Sequence, residues 1–135
     1  MYQKLMIIGR LGKDPEMRFT PNGQAVTSFS VATDRQWTGE GGQQEKETVW
    51  FRVSAWGKLA ETCNNFLQKG KLVMVEGRLQ VDPKTGGPRI WSGADGTARA
   101  SLEVVAATIK FLSPRDGGNA ADQEPEPGLS EDIPF

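Results

Sequence analysis

The chain has 135 residues, of which 24% are charged and 37% hydrophobic, and its formal net charge is −1; that length suits one domain with a real core plus a short appendage. It holds no histidine and a single cysteine, Cys63, which excludes a His-based triad, a conventional zinc set and an intrachain disulfide, so no metal or cofactor is expected. No apolar run approaches the roughly 18 residues of a membrane span, and residues 1–11 are too short and interrupted for a secretory signal, so a cytoplasmic chain with no membrane partner is expected.

Residues 4–11, KLMIIGRL, form a continuous apolar run short enough for a strand. Both faces are apolar, and the surplus among Leu5, Met6, Ile7 and Ile8 predicts a subunit contact on the outer side. Gly12, Asp14 and Pro15 punctuate the run. It resumes at 17–19 with Arg18, before Pro21, Asn22 and Gly23 make a turn. Residues 24–34 alternate, with Ala25, Thr27, Phe29, Val31 and Thr33 on one face and Ser28, Ser30 and Asp34 on the other. The glycine-rich stretch 35–46, with Arg35 and Trp37, reads as a mobile hairpin tip. Its glycines lack the following Lys and Ser or Thr of a Walker loop, as do those of 85–87.

The segment 48–61, TVWFRVSAWGKLAE, carries two opposed chemistries. Strand alternation puts Val49, Phe51, Val53 and Ala55 on a core face and Trp50, Arg52, Ser54 and Trp56 on the other. A lone tryptophan is ordinarily a packing residue. Two at even spacing with an arginine between them fit a surface on which something flat and charged comes to lie. Gly57 ends the strand. Residues 58–69 follow with Leu59, Ala60, Cys63, Phe66 and Leu67 at helical spacing and Gly70 at the cap position, and Cys63 reads as a buried structural thiol.

Residues 71–81 alternate again, with Val73, Val75, Gly77, Leu79 and Val81 on one side and Glu76, Arg78 and Gln80 on the other. Residues 82–98 contain Pro83, Pro88 and several glycines and read as a long protruding hairpin arm carrying Lys84, Arg89 and Trp91. Residues 99–112 form the closing strand, whose pattern slips phase near Val104 and Val105 as a bulge would cause. Residues 1–112 hold 15 Lys and Arg against 11 Asp and Glu, a net +4, whereas 113–135 hold Arg115 against six acids, a net −5. A mildly basic body of 1–112 is therefore followed by an acidic tail, 113–135, whose composition predicts disorder.

Five strands with one short helix between the third and fourth is the element order of an OB-fold, an all-β, five-stranded Greek-key barrel. Trp37, Trp50, Trp56 and Trp91 fall on strand faces or hairpin tips with Arg35, Arg52, Lys58, Arg78 and Arg89 near them in sequence. Interleaved rings and cations suit single-stranded nucleic acid, because each ring stacks on an unpaired base for about 1–3 kcal/mol while cations follow the phosphates. Catalysis is not expected: the candidate acids Asp34, Glu47, Glu61 and Glu76 show no pairing that a motif explains. Stacking and phosphate contact alone leave open an RNA-binding OB protein and an OB adaptor that chiefly contacts proteins.

The pieces IIGRLGKDPEMRFTPNGQAVTSFSVATDR, TVWFRVSAWGKLAE, LQKGKLVMVEGRLQ, SLEVVA and the terminal DIPF resemble the bacterial-type single-stranded DNA-binding proteins across nearly the whole chain. The resemblance implies a non-enzymatic OB-fold protein, assembled as a homotetramer, that binds and protects single-stranded DNA without sequence specificity in replication, recombination and repair and is nucleoid-associated. It puts base stacking on Trp37, Trp50, Trp56 and Trp91, and beside them Arg10, Arg18, Arg35, Arg52, Lys58, Arg78 and Arg89 are expected as the DNA-binding cations. It also makes Glu131, Asp132, Ile133, Pro134 and Phe135 a tip that recruits partner enzymes. Trp56 stands where many members carry phenylalanine, Arg10 where asparagine is common and Phe51 where histidine is frequent. The 83–96 arm departs from the familiar pattern, and the tail is short.

Overall fold

Seven strands and one helix make up the computed structural model, which describes residues 1–114: β1 (Leu5–Leu11), β2 (Glu16–Phe19), β3 (Ala25–Thr38), β4 (Gln44–Trp56), α1 (Lys58–Phe66), β5 (Leu72–Gln80), β6 (Arg89–Ser92) and β7 (Ala98–Phe111). The disorder expected of the acidic tail, and its tip residues, lie outside the described residues. β1 pairs antiparallel with β5, β5 with β7 and β3 with β4, while β4 and β7 run parallel from Phe51↔Leu102 to Ser54↔Val105. β1 also meets β3 at Arg10↔Ala32 and Leu11↔Val31, which closes the ring. β2 pairs with the start of β3, so β1 and β2 act as two halves of one bent barrel strand. The result is a closed five-stranded barrel with the helix between its third and fourth strands, the OB-fold that the sequence predicts.

Strand alternation fills the barrel as the sequence pattern requires. Phe29 and Val31 of β3, Val53 and Ala55 of β4, Val73 and Val75 of β5, and Val104 and Ile109 of β7 are buried together with Ile7 and Leu11 of β1. The helix adds Cys63, and Leu67 follows from just beyond its end. Thr27 is the one fully buried polar residue of β3, and its hydroxyl donates to the Ala60 carbonyl at 2.7 Å, tying α1 to the barrel wall.

Three expectations need correction. Residues 35–46 do form a hairpin, but its strands reach further than their composition suggests: β3 runs to Thr38 and β4 begins at Gln44. Cross-strand partners extend the ladder, with Arg35 to Glu47 at 3.3 Å, Lys46 to Asp34 at 3.5 Å and Thr48 donating to Asp34 at 2.7 Å. The helix ends at Phe66, because Leu67 turns extended and drops into the core; Phe66 is left exposed, its ring 6.0 Å from that of Phe111. Gly70 therefore serves the following turn, where its N–H donates to the Leu11 carbonyl, rather than a helix cap. Finally, 82–98 is not one long arm. Gln80 faces Glu103 and Arg89 faces Ser101, so β6 continues the line of β5 along β7 after a turn at 82–87, and a second turn at 93–97 closes the β6–β7 hairpin.

The phase slip in the last strand is real but sits three residues on. Glu76 faces Thr108 and Gly77 faces Ala106, leaving Ala107 as the extra residue of a bulge. A Cβ on Gly77 would lie 2.1 Å from the Val105 carbonyl oxygen, so only glycine admits that approach. On the outside of β1, Met6 and Ile8 are 59% and 55% exposed. Beside them Lys4 and Glu76 form an ion pair, and the hydrogen bond that Lys4 donates to Glu76, then its bond with Tyr2, raises the Lys4 pKa.

Candidate nucleic-acid interface

The outward residues of β4 are the centre of the site, and register decides what stands beside them. Arg10, Ala32 and Trp50 form one row across β1, β3 and β4, and Arg18, Val26 and Trp56 form another across β2, β3 and β4. Between these rows lie Ser30 beside Arg52 and Ser28 beside Ser54. Small side chains on β3 thus leave the indoles and Arg52 standing proud, with the two tryptophans about 20 Å apart along the strand at ~3.3 Å per residue. Trp50 rests on Gly12, where a Cβ would come within 2.5 Å of its ring carbon Cζ3. That glycine reads as simple punctuation in the sequence; here it is the floor beneath a ring.

All four tryptophans are partly exposed, Trp37 by 40%, Trp50 by 53%, Trp56 by 41% and Trp91 by 45%. They do not form one contiguous group. A cleft of about 390 Å³ joins Trp56 and Trp91 with Arg18, Arg52 and Arg89, although Trp91 lies 35 residues downstream of Trp56 and on another hairpin. A second cleft, of about 510 Å³, is lined by Trp50, Arg52 and the outward side of 100–102, so Arg52 is shared by both. Trp37 stands farther up the β3–β4 hairpin, its ring 4.5 Å from the Arg35 guanidinium. The cation–π contact and the Glu47 pair both occupy Arg35.

The other cations divide by their surroundings. Arg18 and Arg52 make no ion pair among the described residues, whereas Arg89 Nε lies 3.9 Å from Glu103 and Arg10 donates to the Gly70 carbonyl at 2.9 Å. Arg78 sits outward on β5 opposite Val105, and Lys58 at the start of α1; neither lines the two clefts. Sequence reasoning missed Glu103, which faces Arg52 across the β4–β7 pairing and lines the Trp56–Trp91 cleft. Its position as the sixth residue of β7 gave no signal of this. At the hairpins, the Thr48 hydroxyl, and then Lys46, hold the Asp34 carboxyl below the usual range; the Thr97 N–H does the same for Asp95.

Among the described residues no cluster of His, Cys, Asp and Glu gathers that would hold a metal ion, and no helix is long and apolar enough to cross a membrane. The Cys63 thiol is fully buried, and burial pushes its pKa up to about 12.

Known proteins resemble this arrangement in sequence and in fold. A single-stranded DNA-binding protein of Neisseria meningitidis serogroup A is 42% identical over 113 residues, covering 84% of this chain and 61% of the relative, so the chain spans about three fifths of that protein's length. One from Caldanaerobacter subterraneus subsp. tengcongensis is 39% identical over 134 residues, covering 98% of this chain and 83% of the relative. A Plasmodium falciparum SSB, solved in complex with ssDNA, superposes with a TM-score of 0.68 at 24% identity, covering 84% of this chain and 97% of that one, a likeness of fold. Residues 2–112, which include the whole barrel and both clefts, match the single-strand binding protein family, and the chain belongs to that family.

Proposed function

We propose that the chain binds single-stranded DNA through the outward face of β4 and the β6–β7 hairpin. The observation that carries this reading is the cleft in which Trp56 and Trp91 meet Arg18, Arg52 and Arg89. Rings there accept the faces of unpaired bases and cations accept phosphates, whereas duplex DNA hides those faces. Trp50 extends the stacking track toward Arg10, and Trp37 with Arg35 offers an outlying contact; Arg78 and Lys58 serve as peripheral phosphate contacts. The relatives' names support the same ligand.

Tryptophan fluorescence tests the proposal directly. Emission is expected to fall as an unstructured single strand is added and to change little with duplex. Trp56→Ala is expected to weaken binding by about 1–3 kcal/mol. Unaltered emission with saturating single strand, or unaltered affinity in the folded Trp56→Ala protein, refutes the site.

The wider role we infer is coating of single strands in replication, recombination and repair within the bacterial-type cytoplasm and nucleoid, as a homotetramer. Met6 and Ile8, exposed on the outer face of β1, support assembly, since apolar side chains of that size ordinarily find a partner. Residues 131–135 supply an acidic, apolar-ended segment suited to capturing replication and repair enzymes: Phe135 fits an apolar pocket while Glu131 and Asp132 steer it to a basic rim. Removing 131–135 is expected to leave DNA affinity unchanged or slightly raised and to abolish capture of those enzymes; equal capture by the truncated chain refutes this role.

A further inference from the structure

Between the rows of Trp50 and Trp56 lies a small depression of about 120 Å³, whose polar lining is Lys13, Asp14, Glu16, Ser28, Ser30 and Arg52. Lys13 reads in the sequence as part of a turn, but its place in the fold is fixed from both sides. It follows Gly12, the floor beneath Trp50, whose N–H donates to the Ser30 carbonyl at 3.1 Å. It precedes Asp14, whose Oδ1 accepts the Lys69 N–H at 2.8 Å. Neither Lys13 nor Arg52 makes an ion pair among the described residues, and the hydroxyls of half-buried Ser28 and Ser30 have no hydrogen-bond partner there. Two cations and two donors are therefore open to an anion.

The two carboxylates decide where that anion sits. Asp14 is engaged by the Lys69 N–H. Glu16 stands opposite Ser28, whereas Arg52 stands opposite Ser30, about 7 Å farther along β3 toward Trp50. Lys13, Ser30 and Arg52 thus gather at one level, and Glu16 repels any phosphate displaced toward Ser28. We propose that Lys13, with the Ser30 hydroxyl, binds a backbone phosphate of its own beside the one that Arg52 takes; the proposal rests on the single-stranded DNA reading above. A strand whose bases stack on Trp50 and Trp56 carries its backbone across this interval, between Lys13 on the β1–β2 loop and Arg52 on β4. An ammonium on a flexible stem holds a phosphate as a point charge and touches no base edge, so the contact adds affinity without sequence preference.

The test measures the slope of log affinity against log salt for oligothymidine, by tryptophan fluorescence. Lys13→Ala is expected to flatten the slope by about 0.7, and Lys13→Ala with Arg52→Ala by about 1.4, one and two phosphate contacts to a single strand. Lys13→Arg is expected to keep the slope of the unaltered protein. An unchanged slope in Lys13→Ala, or a double variant no flatter than Arg52→Ala, overturns the proposal. The unaltered protein gives a second readout: saturating oligothymidine is expected to slow acetylation of Lys13 by an N-hydroxysuccinimide ester, followed by peptide mass spectrometry. Equal modification with and without the strand also overturns the proposal. If oligothymidine leaves the emission of the unaltered protein unaltered at saturation, the single-stranded DNA reading fails instead.

Discussion

Arg52 should contribute one full phosphate contact to the salt dependence of binding, and its surroundings allow the size of that effect to be worked out. It lies on the outward face of β4 between Trp50 and Trp56, lines both clefts and makes no ion pair among the described residues. Its charge is therefore open to a phosphate, and each phosphate contact made to a single strand adds about 0.7 to the slope of log affinity against log salt. Arg52→Ala should flatten that slope by about 0.7. Over a fourfold rise in salt, from about 50 to about 200 mM, the variant would then lose about 2.5-fold less affinity than the unaltered protein. Arg18→Ala, equally unpaired, should do the same. Arg35→Ala should flatten the slope less, because Glu47 at 3.3 Å already partly neutralises Arg35. Fluorescence titrations with one oligonucleotide at four salt concentrations measure all three slopes. If Arg35→Ala flattens the slope as much as Arg52→Ala, an existing ion pair does not decide which cations meet phosphate, and the ranking fails.

Three further outcomes follow from the barrel. Thr27→Val keeps the shape of the side chain but strips the Ala60 carbonyl of its 2.7 Å partner, and should cost about 1–3 kcal/mol in urea unfolding, with an unchanged denaturant slope. Gly77→Ala would bring a Cβ against the Val105 carbonyl at the bulge and should destabilise by about 1–3 kcal/mol; a smaller loss would mean that the β5–β7 bulge yields easily. Cys63 should resist alkylation near pH 8 until the protein unfolds. Its folded pKa, about 12, lies above the ordinary thiol value of 9.0, so the unfolded thiol ionises first as pH rises. The stability it contributes is whole below about pH 9 and falls between about pH 9 and 12 by at most about 1.4 kcal/mol per unit, a slope that Cys63→Ala should lack.

Period-2 alternation made most of the barrel legible before any coordinates. It assigned the inward residues Phe29, Val31, Val53, Ala55, Val73 and Val75 and left Trp50, Arg52 and Trp56 on the opposite side of β4, because a strand buried on one face can pair in only one phase. What alternation does not encode is the partner strand. The β3–β4 ladder reaches Thr38 and Gln44 through charges and hydroxyls, Asp34 with Lys46 and Thr48, and Arg35 with Glu47. Each of those residues alone reads as loop composition. Phe66 misled for a related reason: helical spacing put it on the apolar face, but the chain leaves the helix at Leu67, and Leu67 takes the core position in its stead.

The site was legible as a composition and not as an arrangement. Four tryptophans and seven cations could be named from their spacing and from the family resemblance, yet only register distinguishes Arg18, which shares a row with Trp56, from Lys58, which is nearer to Trp56 in sequence but stands at the start of the helix. The same holds for Trp91. It meets Trp56 because β6 continues the line of β5 along β7, and β7 runs parallel to β4, so two hairpins distant in sequence flank one cleft. The parallel β4–β7 pairing also brings Glu103 opposite Arg52. A non-local pairing of this kind leaves no mark in either strand alone. It brings Trp56 and Trp91 to one cleft and also sets a carboxylate among the arginines, so the contact that builds the cleft also sets its balance of charge.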